Sequence, residues 1–292
     1  RRMRLRALYF DTPQCDLAAA GLALRLRREG RVWVQAVKGA GDGPISRLEH
    51  EVSRGTAATP PALDLALHDG TPEGQALQAA LASAGDNLTL RFETDVWRTR
   101  RELRAGRSRV EVALDLGSIR AGTATLPLHE VEFELLAGSV TDLVTVAARW
   151  AARHHLWLDT RSKAERGHLL AHGKSASPAT KARSPLLQAR LDPDAALRCL
   201  VRSALQHVLP NASALAAGAA GPEHLHQARV GLRRLRCALR DFGAWSSDID
   251  DNVVAGARQL FGQLSAARDR DALAAGLWPL LEGAGAPTWQ LD

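Results

Sequence analysis

Three glutamates at two-residue spacing, Glu130, Glu132 and Glu134, alternate with Val131, Phe133 and Leu135. On a strand successive side chains point to opposite faces, so the carboxylates share one face and the apolar residues the other. Like charges so placed repel unless water, cations or a basic wall neutralises them. Other segments carry the same alternation, some with the opposite sign. Arg25 and Arg27 alternate with Leu22, Leu24 and Leu26, and Arg98 and Arg100 lie across from Trp97. Glu49 and Glu51 oppose Leu48, His50 and Val52, while Arg109, Glu111 and Asp115 oppose Val110, Val112, Leu114 and Leu116. Arginine forks grip phosphate oxygens. Carboxylates cannot, so a face carrying both signs implies a hard divalent cation, Mg²⁺ or Mn²⁺, bridging acid and phosphate.

Taken singly, each strand is also explained by an antiparallel sheet with one face on a core and one in water. Taken together, positions filled almost wholly by Arg, Glu and Asp favour a closed barrel. Its apolar residues would lie outside under covering helices, and its interior would carry both signs. Strands are expected over Arg4–Asp11, Leu22–Glu29, Val32–Lys38, Arg47–Arg54, Leu88–Leu103, Arg109–Leu116 and Leu126–Leu136, with turns at Asp11-Thr12-Pro13, Glu29-Gly30 and Gly39 to Pro44. Helices are expected at Pro72–Ala84 and at Ser139–His155, the second with Ser139 and Thr141 as caps and a stripe of Leu143, Val144, Ala147 and Trp150. Residues 173–185 are polar and read as a linker, which divides a first domain at 1–172 from a second at 186–292. The second domain, rich in Ala, Leu and Arg, has helical periodicity over 193–209, 222–244 and 249–276, the last broken at glycines. The fold class is α+β: an antiparallel tunnel with covering helices, followed by an all-α bundle.

The chain has 292 residues and a net charge of +6. The basic excess favours an anionic partner without choosing among nucleic acid, nucleotide, polyphosphate and membrane surface. One Tyr and five Phe supply little for base stacking, so nucleic acid is disfavoured. Cys15, Cys199 and Cys237 are far apart with no CxxC or zinc-type His pairing, which reads as reduced, non-metal cysteines. No apolar run approaches the ~20 residues that span a bilayer, and no signal peptide follows the basic start.

Tyr9-Phe10-Asp11-Thr12-Pro13, Gly21-Leu22-Ala23-Leu24-Arg25-Leu26-Arg27-Arg28-Glu29-Gly30 and Trp33 to Gly39, followed in order by Ala113 to Gly117, Glu130 to Glu134 and Ser162-Lys163-Ala164-Glu165-Arg166-Gly167, resemble the CYTH family, the triphosphate tunnel metalloenzymes. The resemblance covers residues 5 to about 170. It implies an eight-stranded tunnel that hydrolyses a triphosphate or, in some members, cyclises ATP. It further implies Arg25, Arg27, Lys38, Arg98 and Lys163 as phosphate ligands, with Arg100 and Arg166 as further candidates. Arg166 reads equally as a surface or pairing residue. Glu130 and Glu132 match the metal-binding Glu-x-Glu, assisted by Asp115 and by Glu49 or Glu51, with Glu134 as a further candidate. Glu130, Glu132 and Lys163 are the implied catalytic residues. The family's N-terminal Glu-x-Glu-x-Lys strand has no match here, so either the chain is a fragment or the protein lost that strand, and in both cases two metal-ligand carboxylates are absent. With only about the first half of the second domain matched, the expectation is truncation at both ends.

In the second domain His226, Arg229, Arg233, Arg236 and Arg240 step by three or four along one ridge, with Val230, Leu232, Leu235 and Leu239 on the core side. No acid lies between Glu223 and Asp241, so the ridge favours an anion over a merely solvated face. The segment, with Arg234 inside it, resembles the CHAD helix His-x-x-Arg-x-x-x-Arg-Arg-x-Arg, and Arg268-Asp269-Arg270-Asp271 resembles that family's second motif. The resemblance implies a polyphosphate-binding module using His226, Arg229, Arg233, Arg234, Arg236, Arg240 and Arg268. Asp269 and Asp271 are expected to orient arginines.

The leading expectation is a metal-dependent hydrolase of inorganic triphosphate or a related polyphosphate, cytoplasmic and associated with polyphosphate granules. A non-catalytic polyphosphate binder, an adenylate cyclase on the same tunnel, and a nucleic-acid reading of the basic helix stay open, as does the oligomeric state.

Overall fold

A computed structural model describes residues 1–40, 47–82 and 87–285, with the side chains of 40, 47, 266–275 and 278 outside that description. The chain divides into two units, Arg1–Ser175 and Ala176–Asp292.

Alternation builds the first unit. Strands β1 (Arg2–Asp11), β2 (Ala23–Glu29), β3 (Val32–Ala40), β4 (Arg47–Thr56), β5 (Thr89–Ala105), β6 (Ser108–Ala121) and β7 (Ala124–Ala137) form one antiparallel sheet of seven strands in the order β4-β3-β2-β1-β5-β6-β7. Two-residue turns join β2 to β3 and β5 to β6, with Gly30 at φ 62° and Gly106 at φ 60°, backbone that other residues adopt only with strain. The sheet is antiparallel and helix-covered as expected, but it is not closed. β4 pairs only with β3 and β7 only with β6, so a tunnel would need a further strand between those edges, and none of the described residues supplies one.

Short helices cover parts of both faces. α1 (Asp16–Ala19) and α2 (Pro72–Leu81) bury Leu17, Leu77 and Leu81 against Leu24 and Val37. Asp11 fixes the entry to α1, accepting from the backbone N–H groups of Leu17 and Ala18 at 3.0 Å each. α3 (Val140–His154) is capped by Ser139, as its sequence indicates. Its stripe is not buried, however. Val144 is 51% exposed, and the aromatic contact is Trp150 edge-on to Phe133 at 5.7 Å. α4 (Lys163–Ala171) packs Ala164, Leu170 and Ala171 on Leu5, Ala7, Tyr9, Phe92, Val96, Ile119 and Leu128. Those residues share the face of Arg25, Arg98 and Glu130, so this face is apolar in part rather than charged throughout.

The second unit contains α5 (Pro193–Ala216), α6 (Pro222–Phe242) and α7 (Asp251–Gly283) around Ala204, Val208, Leu232, Leu235 and Leu239. Leu225 and Ala228 are buried on α6, whereas Val230, assigned to the core by periodicity, is half-buried. α5 continues through Pro210, where its end was expected. Asn211, fully buried, donates to the His207 carbonyl at 2.7 Å and clasps the backbone of Thr180, anchoring the turn beyond the proline. α7 likewise runs on through Gly256, Gly262 and Gly276. Ser177, Thr180 and Arg183 give backbone hydrogen bonds to α5 and α6, so part of the segment read as a linker lies against these helices.

α5 and α6 meet at Gly231, where a Cβ would lie 2.7 Å from Val208 Cγ2 and 3.2 Å from His207 Nδ1. Overpacking costs about 1–3 kcal/mol, against roughly 1 kcal/mol that Ala gains over Gly in a helix. Gly231→Ala should therefore lower the thermal midpoint of the second unit despite its better helix propensity. An unchanged or raised midpoint by calorimetry would show that the helices do not meet this closely.

Candidate active site

Register places the charged residues in rows. Arg98 on β5 sits opposite Asp115 on β6, which sits opposite Glu130 on β7, and Ala113 next along lies opposite Glu132. Arg98 donates a fork to Asp115 at 2.7 and 2.6 Å and reaches Glu132 at 2.5 Å. α4 brings the remaining cations. Ser162 caps it by accepting from the Glu165 N–H at 3.0 Å, so Lys163 and Arg166 both project from its first turn. Lys163 contacts Asp115 at 2.9 Å, Glu132 at 2.6 Å and Glu130, and Arg166 contacts Glu130. Asp115 is fully buried.

Partial desolvation disfavours charge on Glu132, whose side chain is 45% exposed, but Lys163 and Arg98 outweigh it and hold this carboxyl far below the usual range. Burial likewise opposes charge on Lys163 and Arg98. The surrounding carboxylates dominate and raise both.

A second cluster lies on the other side of β1. Arg25, Arg27, Lys38, Glu49 and Glu51 share the face of Arg98 and Asp115. Arg25, buried, bridges Glu49 at 3.2 Å and Glu51 at 2.9 Å. Arg27 meets Glu51 at 3.1 Å and also Glu29, a partner absent from the residues singled out in the sequence although it continues their alternation. Lys38 meets Glu49 at 2.5 Å. Burial and then Glu51 raise the Glu49 carboxyl. Glu51 is held down to about 2, its burial overcome by Glu49, Arg27 and Arg25. Lys38 falls to about 8, chiefly through burial and then the charge of Arg25, with Glu49 opposing.

Two expected ligands stand apart. Arg100, opposite Ala113 in register, lies 3.6 Å from Glu111 and 3.3 Å from the Met3 sulfur rather than pairing with Asp115, Glu130 or Glu132. Glu134 is exposed, opposite Glu111 in register, without an ion pair among the described residues.

The cluster of Asp115, Glu130 and Glu132 can present one oxygen each within 4.8 Å. Carboxylate oxygens suit a hard dication, and the Lys163 ammonium contacts all three of these carboxylates. The donor set fits Mg²⁺ or Mn²⁺. Among the described residues, the Nε–H groups of Arg25, Arg27 and Arg166 are buried without a partner. Unpaired buried donors are costly, and anion oxygens would satisfy them.

On α6 His226 and Arg233 are exposed and without ion pairs among the described residues. Arg229 and Arg236 lie over the Phe261 ring at 5.6 and 4.7 Å, and Arg229 also donates to Ser265 at 3.3 Å. Arg240 is paired with Asp241 at 2.6 Å. Arg234 departs from this ridge, donating to the Arg183 carbonyl at 3.0 Å and to Ser203 at 3.1 Å. The side chains of Arg268, Asp269 and Asp271 lie outside the described residues.

A model of the CYTH domain matches residues 1–168, more than half of the chain. The chain belongs to the CYTH domain family. A model of the CHAD domain matches residues 199–291, so CYTH precedes CHAD in the order its motifs indicate. An inorganic triphosphatase of Haemophilus influenzae is 31% identical over 165 residues, which cover 56% of this chain and 44% of that protein. The chain thus spans less than half the length of this curated relative. Among solved structures, an adenylate cyclase candidate of Bacillus halodurans is 16% identical with a TM-score of 0.40, covering 56% of this chain and 82% of its own. A Hippeastrum adenylyl cyclase candidate described as having a dominant triphosphatase activity is 15% identical with a TM-score of 0.37, covering 60% and 84%. No helix among the described residues is long and apolar enough to cross a membrane.

Proposed function

We propose that the CYTH unit is a metal-dependent phosphoanhydride hydrolase acting on inorganic triphosphate or a related polyphosphate, and that the CHAD unit holds polyphosphate on its basic helix. The observation that carries this reading is the interlocked group Asp115, Glu130, Glu132, Arg98, Lys163 and Arg166 on the same sheet face as Arg25, Arg27 and Lys38. Asp115, Glu130 and Glu132 would hold Mg²⁺ or Mn²⁺. When bound, such an ion supplies charge at the phosphoryl oxygens and a more acidic water. Arg98, Lys163 and Arg166 each already bind carboxylate oxygens. They would exchange these for phosphate oxygens and stabilise the charge developing on the transferred group. Arg25, Arg27 and Lys38 grip the rest of the chain of phosphates and hold it in line.

Product analysis tests this. The full-length protein should release orthophosphate from tripolyphosphate and form no cyclic AMP from ATP. Cyclic AMP as the main product would transfer the assignment to the cyclase reading. The pairing of Asp115, Glu130 and Glu132 with Arg98, Lys163 and Arg166 favours a second reading, polyphosphate binding without turnover at cytoplasmic granules. Tight, metal-independent binding with no phosphate release would select it.

Lys38 gives a proton signature. An anion seated against it raises a lysine that otherwise titrates at about 8. The bound state then keeps a proton that the free state has lost, so affinity for tripolyphosphate weakens as pH rises through that value. Calorimetry in buffers of different ionisation enthalpy should show proton uptake that peaks near this pH and fades well below it. Lys38→Met should remove the uptake and cost about tenfold in affinity. Uptake that persists in this variant would place the titrating group elsewhere.

A further inference from the structure

Away from the carboxylates, Cys15, His168 and His172 come together where the turn before α1 meets the end of α4, one ligand atom from each lying within 4.8 Å of the others. The Cys15 sulfur is 3.4 Å from His172 Nε2. His168 and His172 are four apart on one helical face, their ring centroids 4.4 Å from each other. His172 Nδ1 lies 2.7 Å from the His168 carbonyl, so Nδ1 carries the hydrogen and Nε2 offers its lone pair toward the sulfur. A backbone carbonyl that fixes the tautomer in this way is the usual support of a ligating histidine. Cys15 also has φ 66°, a left-handed conformation that residues with side chains hold only when their surroundings enforce it. Burial pushes its thiol up, opposed by Arg91, whose Nη2 is 3.9 Å from the sulfur.

We propose that Cys15, His168 and His172 bind a zinc-class d-block dication through one thiolate and two imidazoles, with a fourth position open to water. Bonds of about 2.3 Å to sulfur and 2.0–2.1 Å to nitrogen at tetrahedral angles put the two ligand atoms about 3.6 Å apart, close to the 3.4 Å found here. On binding, Cys15 gives its thiol proton to solvent while both imidazoles stay neutral. Sulfur and imidazole donors set this site apart from the carboxylate group, which suits a hard ion. The ion would tie the turn at Thr12 to Cys15 onto the helix that carries Lys163 and Arg166, so occupancy would steady the cations of the other site.

The test is a Co²⁺ titration of the chelator-stripped full chain in excess Mg²⁺. One equivalent should bind with intense tetrahedral d–d bands and a thiolate-to-cobalt charge-transfer band, and Zn²⁺ should displace it. Cys15→Ser should abolish the charge-transfer band, His172→Ala should weaken binding about tenfold or more, and Glu132→Gln should leave both band and affinity as they were. In the unaltered protein Zn²⁺ should shield Cys15 from alkylation, which covers the case of a variant that fails to fold. A missing band, a band that survives Cys15→Ser, binding lost with Glu132→Gln, or unshielded Cys15 would each overturn the site and leave only a thiol–imidazole hydrogen bond.

Discussion

Asp115→Ala should lower the stability of the CYTH unit by about 3–5 kcal/mol, the usual cost of removing one partner from a buried ion pair. Asp115 is fully buried, while its partners Arg98 and Lys163 are only 15% and 13% exposed. The substitution strips Arg98 of both fork acceptors and Lys163 of one of three carboxylates. The remaining Glu130 and Glu132 are more exposed and cannot replace a buried acceptor. Tripolyphosphate should restore part of the loss, because its oxygens can take the vacated donors and any ligand of the native state stabilises it. Urea unfolding with and without tripolyphosphate measures both effects. A midpoint equal to that of the unaltered protein would mean that Asp115 is not the anchor of this cation cluster.

Gly167→Ala should abolish most turnover although position 167 carries no chemistry. A Cβ there would fall 2.2 Å from Cδ2 and Cε2 of Phe92, whose ring stacks on Tyr9 at 4.5 Å. Phe92 is buried between strand and helix and cannot swing away, so α4 must lift off the sheet. Lys163 and Arg166 would move with it, away from Asp115, Glu130 and Glu132. A displacement of about 1 Å at a reacting centre costs on the order of a hundredfold in rate, and the strain adds about 1–3 kcal/mol of destabilisation. Steady-state kinetics on tripolyphosphate, run where circular dichroism shows the variant folded, reads the first effect. Unaltered kcat would show that α4 does not position the cations.

Alternation made the seven strands and their charged face legible, because period two survives wherever one face is buried. The rows Arg98–Asp115–Glu130 and Arg25 with Glu51 follow from that parity once the strands pair. Edge pairing is different. Whether β4 and β7 meet depends on strand number and curvature, which no local pattern encodes, so the closed barrel was an expectation that the open sheet corrects. α4 escaped notice because it has only nine residues and is interrupted by Gly167, yet Ser162-x-x-Glu165 ahead of Leu169 and Leu170 is a helix-start signal. Pro210 and the glycines of α7 were read as breaks because local propensity was set against packing that only the folded unit supplies. Arg234 is a candidate through the CHAD motif and not through the ridge, and, one step off that stripe, it donates to the Arg183 carbonyl instead. Cys15 and its histidines were invisible as a group, because His168 lies 153 positions after Cys15. Only the docking of α4 beside β5 and β6 brings them within reach of one another.

Phosphate release from tripolyphosphate by the full-length protein, with Mg²⁺ or Mn²⁺ and with both removed by chelation, is the most direct test of the proposed centre. Release should require the metal, and Glu132→Gln, which keeps the side chain's size while removing its charge between Lys163 and Arg98, should cut kcat by about a hundredfold or more. Turnover that survives chelation, or that Glu132→Gln leaves intact, would contradict a metal-dependent triphosphatase built on this carboxylate row.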